Sequence, residues 1–315
     1  MNPHVSIIIS NYNYGNFLSE AIDSALSQTY VDREVIVVDD GSTDKSRVII
    51  ASYGNLITPV FKENGGQASA FNAGFAASRG NIICLLDADD VFLPNKIVEI
   101  VSIFAQHSDI GWCSHPLKQV HTDTDIDISN GLKLHDNDER TSQECDFRQH
   151  LKKGKLPFSH AATSGLCFTR PLLKQILPMP EVITITSDNY LKFTASALSK
   201  GFFLNKQLTI QRLHGNNAYS RRQDKQYLKA KIRILTAFWM RHNFPILAKF
   251  ANNLFASGLG TYWYIGEIQT ECRETIQSYF TSIPVLEKMA IILKAYYFFS
   301  TNKLQNSFTC STRKI

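Results

Sequence analysis

Three short apolar runs, each ending in a polar cluster, constrain the fold of this chain more than any other feature. Val5-Ser6-Ile7-Ile8-Ile9 runs into Ser10-Asn11-Tyr12-Asn13, and Glu34-Val35-Ile36-Val37-Val38 into Asp39-Asp40-Gly41-Ser42. Asn81-Ile82-Ile83-Cys84-Leu85-Leu86 runs into Asp87-Ala88-Asp89-Asp90. Short β-branched runs that are apolar on both faces read as buried strands. Between them, Phe17, Ala21, Ile22, Ala25 and Leu26 recur at helical spacing, and further helices are expected over 43–52 and 68–78, with a strand over 57–61. Alternating strands and helices predict an α/β fold, a Rossmann-like, mainly parallel sheet with helices on both faces. Ligands bind such sheets outside the carboxyl ends of the strands, so the three polar clusters are expected to line one edge and form one site.

The second half is less periodic. Residues 112–160 carry an acidic stretch with Asp123, Asp125, Asp127, Asp136, Asp138 and Glu139 and read as a loop or variable hairpin. The alternation Asp123-x-Asp125-x-Asp127 looks like the start of a calcium loop but lacks its glycine and distal glutamate. Order returns over 163–217, with a strand at Ser164-Gly165-Leu166-Cys167-Phe168, a short helix from Pro171 to Leu177, a longer one from Asp188 to Lys200 and a strand from Leu208 to Gln211. Beyond Tyr219 the pattern is helical, and residues 220–315 read as a helical C-terminal extension.

The extension is set apart by charge. It carries 14 Lys and Arg against 5 Asp and Glu, a net +9 in a chain whose total is +5. The basic excess starts at Arg221-Arg222 and continues through Lys225, Lys229, Lys231 and Arg233. Such a face is either solvated or in contact with an anionic membrane surface or a phosphate-bearing acceptor. No uninterrupted apolar run reaches 18 residues, and Val285 to Ser300 is broken by Glu287, Lys288 and Lys294, as in an amphipathic or packed helix. Six scattered cysteines without a CxxC pair, and a start without a basic leader, predict a cytoplasmic protein.

Each polar cluster has a structural reading and a chemical one. Asp87, Asp89 and Asp90 repel one another unless a cation neutralises them, and their hard oxygens suit magnesium or manganese beside phosphate. They can equally cap the helix that follows Pro94. Asp39 and Asp40 can accept from a nucleobase or a ribose, or cap the next helix with Ser42. Asn64-Gly65-Gly66-Gln67, followed by Asn72-Ala73-Gly74, is a glycine loop entering a helix, where backbone can approach a phosphate or sugar. Asp188 opens a helix, as an N-cap or as a general base for a hydroxyl. Arg212 and His214 stand close together after a strand, the first suited to phosphate, the second to a metal or to a structural role.

In this order the clusters resemble the family 2 glycosyltransferases, which have the GT-A fold. The resemblance is close over 4–100, through Val5 to Asn13, Ala25-Leu26-Ser27-Gln28-Thr29-Tyr30, Val37 to Asp44, Asn64-Gly65-Gly66, Asn72-Ala73-Gly74, Gly80 and Leu86 to Asp90. It is looser over 160–217, through Ser164-Gly165, Asp188-Asn189-Tyr190-Leu191, Gly201 and Arg212 to Asn217. The resemblance implies a GT-A domain over 1–219, with a nucleotide-sugar half at 1–110 and an acceptor half at 111–219, ahead of the helical extension. It implies an inverting transfer from a nucleoside-diphosphate sugar, UDP being the expected nucleotide, to a hydroxyl of a glycan or lipid-linked acceptor in polysaccharide or glycoconjugate synthesis. Asp39 would accept from the base, with Asn11, Tyr12, Asn13 and Asp40 around the nucleoside. Asn64, Gly66, Gln67, Asn72, Asp87, Ala88 and Arg212 would complete the donor site. Asp89, with His214, would hold a divalent cation, Mn2+ or Mg2+. Asp188 would be the base, although the residue before it is Ser187 where the family often has Glu. A peripheral contact with the inner face of a membrane through the basic helices is expected, and no nucleic acid.

Rival readings carry different signals. A phosphoacceptor receiver domain needs a lone Asp after a middle strand, where this chain has Phe61-Lys62-Glu63-Asn64. A sugar-nucleotide nucleotidyltransferase needs a glycine-rich, basic loop after the first strand, where this chain has Ser10-Asn11-Tyr12-Asn13-Tyr14-Gly15. A protein that binds the nucleotide sugar and has lost catalysis is the third.

Overall fold

The computed structural model describes residues 3–122, 141–155, 161–215, 217, 224–266, 268 and 270–311. The acidic stretch with Asp123, Asp125, Asp127, Asp136, Asp138 and Glu139 lies outside these, as do Asn216, Arg221 and Arg222. The chain divides into two compact units, Met1–Arg148 with Phe158–Asn217, and Gln149–Pro157 with Ala218–Ile315.

The first unit opens with β1 (Val5–Asn11), α1 (Leu18–Leu26), β2 (Arg33–Asp40), α2 (Ser46–Ser52), β3 (Thr58–Lys62), α3 (Gly66–Ala77), β4 (Ile82–Asp87), β5 (Val91–Phe92) and α4 (Lys96–Gln106). It continues through β6 (Ile110–Ser114), β7 (Lys118–His121), β8 (Gln143–Cys145), α5 (Arg148–Lys152), where the division falls, β9 (Leu166–Thr169), α6 (Arg170–Ile176), α7 (Asp188–Leu198), β10 (Lys200–Phe203) and β11 (Thr209–Leu213). Eight strands form one sheet in the order β3-β2-β1-β4-β9-β6-β10-β8, and β5, β11 and β7 form a small second sheet. β3, β2, β1 and β4 run parallel, as the alternation predicts. β9 enters antiparallel between β4 and β6, and β8 closes the edge antiparallel to β10.

Register places the functional clusters. Asn11 pairs with Asp39, Ser10 with Asp87, and Asp39 and Asp40 with Phe61 and Lys62, so the strands end level with one another. The core beneath them is aliphatic. Ile7, Ile9, Val35, Val37, Cys84 and Leu86 are buried with Leu18, Ala21, Ile22 and Ala25 of α1. On the other face α3 uses small residues, because a Cβ at Gly74 would overlap Ile8.

Residues 112–160, read from sequence as irregular, begin inside a fully buried strand, β6, and also hold β7, β8 and α5. The five-residue run of β6 has no polar cluster behind it and too little length for a clear period, which hid it. At its far side Gly201 of β10 lies flat against the Trp112 ring.

The second unit is helical, with α8 (Lys225–Asn243), α9 (Ala248–Ile265), α10 (Thr270–Thr281) and α11 (Val285–Ser311). Phe255 stacks on Tyr279 with ring centroids 3.8 Å apart, and Arg241 pairs with Glu287 at 2.9 Å. Asn253 donates to the Gly154 carbonyl at 2.7 Å, tying the short segment after α5 to α9.

Gly201→Ala tests the central packing. The new methyl would meet the Trp112 ring in a site that has no room to relax, and overpacking of this kind costs about 1–3 kcal/mol. A urea midpoint lowered with an unchanged slope is the expected result.

Candidate active site

The loops after β1 and β2 are clipped together by side chains. Asn13 adopts φ 59°, a left-handed conformation that asparagine tolerates, and its side-chain oxygen accepts from the Thr43 amide at 2.8 Å. Ser42 Oγ accepts from the Asn13 amide at 2.9 Å and from Asn11 Nδ2 at 3.1 Å. Asp39 is fully buried; it accepts from Asn11 at 2.9 Å, from the Ser42 amide at 3.2 Å and from Arg47 Nε at 3.1 Å. Tyr12 is half exposed at the same edge.

Asp40 faces the next loop. It accepts from Lys62 Nζ at 2.6 Å and from the amides of Gly65 and Gly66 at 3.0 and 2.7 Å. Asn64 donates to the Asp40 carbonyl at 3.0 Å. Gly66 has φ +83°, and a Cβ there would press on Thr184, so glycine is required on both counts. Between these loops opens a cleft of about 550 Å³ lined by Gly41, Arg47, Phe61, Lys62, Glu63 and Asn64. Arg47 sits 5.6 Å over the exposed Phe61 ring, and sequence reasoning singled out neither as a site residue.

Gln67 connects the glycine loop to the far side of the site. Its Oε1 accepts from the amide and hydroxyl of Ser187 at 2.9 and 3.0 Å, and its Nε2 reaches Thr163 at 3.3 Å. Asn72 clasps Met179 through both ends of its amide, at 2.9 Å each, and touches Glu181 at 3.1 Å. Thus Asn72 is engaged with the chain itself.

The turn after β4 gathers the carboxylates. Ala88 and Asp90 are buried, and Asp87 is partly exposed. Asp90 accepts from Ser164 Oγ at 2.6 Å and from the Arg212 amide at 3.1 Å. Ser164 Oγ in turn accepts from the Asp87 amide at 3.0 Å. Asp89 Oδ2 lies 3.1 Å from His214 Nε2 and accepts from Asn217 at 3.0 Å. Burial first, then the charges of Asp89 and Asp188, push the Asp87 carboxyl up to about 8. Burial first, then the charges of Asp89 and Asp87, raise Asp90 well above the usual carboxylate range.

Arg212, expected at a phosphate, is fully buried. Its guanidinium pairs with Glu20, donates to the Asp89 carbonyl at 3.2 Å and lies 4.7 Å over the Phe17 ring. The same ring packs 4.5 Å from the His214 imidazole. Glu20, in the first turn of α1, carried no sequence signal for this role.

Asp188 lies at the first turn of α7. One carboxylate oxygen accepts from Lys192 Nζ at 2.9 Å, an i,i+4 pair that is almost entirely buried. The other, Oδ1, is buried without a hydrogen-bond partner. A buried carboxylate oxygen without a donor is costly and is found where a ligand group arrives.

Comparison with known proteins agrees with this architecture. The family model for glycosyl transferase family 2 matches residues 6–173, more than half of the chain. The chain belongs to this family. It is 38% identical to an uncharacterised glycosyltransferase of Nostoc sp. over 222 residues, 68% of this chain and 66% of that one. It is 36% identical to an uncharacterised glycosyltransferase of Rickettsia typhi over 219 residues, 68% of this chain and 65% of the relative. The matches therefore span just under two thirds of the length of these relatives. Among solved structures, S. aureus TarS 1-349 in complex with UDP-GlcNAc superposes with a TM-score of 0.63 at 16% identity, covering 98% of this chain and 92% of that one. TarS 1-349 in complex with UDP gives a TM-score of 0.58 at 19% identity, over 85% and 76% of the two chains. At these identities the likeness establishes the fold, a GT-A sheet with a helical C-terminal region.

Among the described residues no group of three or more His, Cys, Asp or Glu side chains gathers as a metal site, and a divalent cation would find a pair of donors here. Asp89 and His214 present a carboxylate oxygen and an imidazole nitrogen side by side, and the raised Asp87 marks an excess of negative charge that a cation relieves. Asp89 and His214 would be the protein's donors to such an ion, a small set of the kind with which magnesium is commonly held beside phosphate.

Asp40→Ala tests the loop clip. Three donors lose one buried acceptor, and a loss of about 3 kcal/mol is expected from charged hydrogen bonds of this kind. The unfolding free energy from denaturant titration reads it directly.

Proposed function

We propose that this protein is an inverting glycosyltransferase that moves a sugar from a nucleoside-diphosphate sugar to a hydroxyl of a glycan or lipid-linked acceptor, in polysaccharide or glycoconjugate synthesis. The observation that carries the reading is Asp188, a buried carboxylate with one oxygen held by Lys192 and the other unpartnered, close enough to Asp87 to raise it. A base and a diphosphate site facing one another are what a single displacement requires.

The nucleoside enters the cleft between Gly41 and Asn64, where the exposed Phe61 ring offers a stacking face and Arg47 a cation. Asp39, braced by Asn11 and Ser42, fixes the wall of that cleft and accepts from the base at its edge. Tyr12 and Asn13 flank the nucleoside, and the backbone of Gly66 and Ala88 approaches the phosphates and sugar with Asn64, Gln67 and Asn72 nearby. UDP is the nucleotide of this reading, in keeping with the UDP and UDP-GlcNAc bound by TarS. Asp89 and His214 hold the divalent cation, Mn2+ or Mg2+, with Asp87 on the nucleotide side. When bound, the cation neutralises charge on the departing diphosphate. Arg212 holds the turn and His214 in place from behind.

The acceptor hydroxyl gives its proton to Asp188 Oδ1 as its oxygen attacks the anomeric carbon from the face opposite the diphosphate. One displacement inverts the anomeric configuration. Lys192 keeps the other oxygen of Asp188 engaged, so the free one faces the acceptor. Residues 1–219 are the catalytic domain of this reading and 220–315 an appended helical region. Among the described residues no helix is long and apolar enough to cross a membrane. A place at the inner face of a membrane, through the basic helical region, completes the proposal.

Two measurements test it. Nucleoside diphosphates should raise the thermal midpoint, UDP most, and only with Mn2+ or Mg2+ present; no shift with any nucleotide would remove the donor site. Asp188→Asn should lower transfer by about 10²–10⁴-fold and leave the UDP-dependent midpoint shift intact. Undiminished transfer would show that another group is the base, and a parent chain that binds UDP without transferring would favour the binding protein that has lost catalysis.

A further inference from the structure

α11 packs against α9 on one side only. Ile291 and Ala295 are buried there, and a Cβ at Gly260 of α9 would overlap the Ala295 carbonyl, so the two backbones run close together. The opposite side carries Val285, Leu286, Met289, Leu293, Tyr296 and Tyr297, all more than half exposed, with Leu286 at 80% and Leu293 at 69%. Their spacing places them on one face of the helix, in a stripe about 18 Å long at 1.5 Å per residue. Lys288 borders the stripe on one side, and Lys294, whose ammonium reaches Asn253, borders it on the other. A continuous large-apolar face is uncommon on a solvated surface and marks an interaction site.

We propose that this face of α11 lies in the interface of an anionic lipid bilayer, parallel to its surface. The charge of the region selects the occupant. Residues 220–315 carry 14 basic and 5 acidic side chains, so a second copy docking here brings the same +9, while an anionic lipid surface complements it. A lysine beside an apolar stripe can extend its ammonium to headgroups while its stem lies along the acyl boundary, the part open to Lys288, whereas the Lys294 ammonium is held by Asn253. Tyr296 and Tyr297 put amphipathic rings at one end of the stripe, the position such rings favour at a membrane surface. This inference extends the membrane part of the proposed function and needs none of its transfer chemistry.

The test is co-sedimentation of the full chain with phosphatidylcholine vesicles, with and without phosphatidylserine, at low and high salt. Binding to the phosphatidylserine vesicles that weakens with salt is expected. The double variant L286Q/L293Q should bind at least about tenfold more weakly, since each leucine removed from the interface forfeits that order of partitioning. Both positions are exposed, so circular dichroism of the variant should match the parent. Failure to sediment with phosphatidylserine vesicles, or a double variant that sediments like the parent, overturns the inference. A dimer in light scattering that L286Q/L293Q dissolves overturns it as well, in favour of a second copy. The UDP-dependent thermal shift, read on the same samples, separates this inference from the donor reading. Lost vesicle binding with the shift intact strikes the lipid face alone, and vesicle binding without the shift supports the face and counts against the donor site.

Discussion

The turn that carries Asp87 and Asp89 is held from beneath by a buried carboxylate, and the rest of the site depends on it. Asp90 accepts from Ser164 and from the Arg212 amide, which belong to segments 74 and 122 residues away in the chain. Ser164 also takes the Asp87 amide, so one hydroxyl fixes both ends of the turn. Below Ser164 lies Lys96, fully buried, donating to the Ser164 carbonyl at 2.6 Å and to Thr209 Oγ1 at 3.2 Å, with its ammonium 3.4 Å over the Phe92 ring. Burial lowers the Lys96 pKa, while the Asp90 carboxyl is among the charges that oppose this. A cation and a carboxylate this deep are tolerable only because each is hydrogen-bonded and electrically answered. The result is a hydrogen-bonded floor beneath two further carboxylates at the sheet edge, Asp87 partly exposed and Asp89 buried.

That floor explains why one turn can serve two ends. The strand-end position alone would allow Asp87 to Asp90 to be a helix cap. The helix that follows has Asn95 at its N-cap, and Asp90 instead braces the turn through Ser164 and Arg212, while Asp87 and Asp89 face other groups. Asp89 meets His214 and Asn217, and Asp87 is close enough to Asp188 to feel its charge. The motif divides by residue, and the division follows from which side chains sit behind the sheet edge and which in front.

Much of this was legible in the chain, and the reasons are physical. Buried parallel strands must be apolar on both faces, so β1, β2 and β4 announced themselves, and their polar ends marked the edge where ligands bind. Level register then brought Asn11, Asp39 and Asp87 together without further information. The parts that escaped are those defined by long-range contact. β9 enters antiparallel between β4 and β6, and no local pattern encodes which neighbours a strand will take. Lys96 and Glu20 look like ordinary surface residues of helix first turns until the fold encloses the one and turns the other toward Arg212. Arg212 was read as suited to phosphate; in the fold it is buried over the Phe17 ring and pairs with Glu20, contacts its residue type does not announce. Lys192, four residues after Asp188 on one helix face, is a partner that helical spacing alone could have signalled and that was not singled out.

The uneven charge of the chain follows the same logic. A site built on Asp39, Asp40, Asp87, Asp89, Asp90 and Asp188 concentrates negative charge at one sheet edge, and each member needs its own answer. Asp40 has Lys62, Asp39 has Arg47, Asp188 has Lys192, and Asp90 has its hydrogen-bond donors. Asp87 has hydroxyl and amide donors and Asp89 an imidazole and an amide, so burial first and then the neighbouring carboxylates raise Asp87. Arg47, Lys62 and Lys192 thus answer Asp39, Asp40 and Asp188, while among the described residues no lysine or arginine side chain pairs with the carboxylate of Asp87 or Asp89. In the proposed function a divalent ion with a diphosphate would bring what that pair lacks, and donor binding would then rest on ion and nucleotide together.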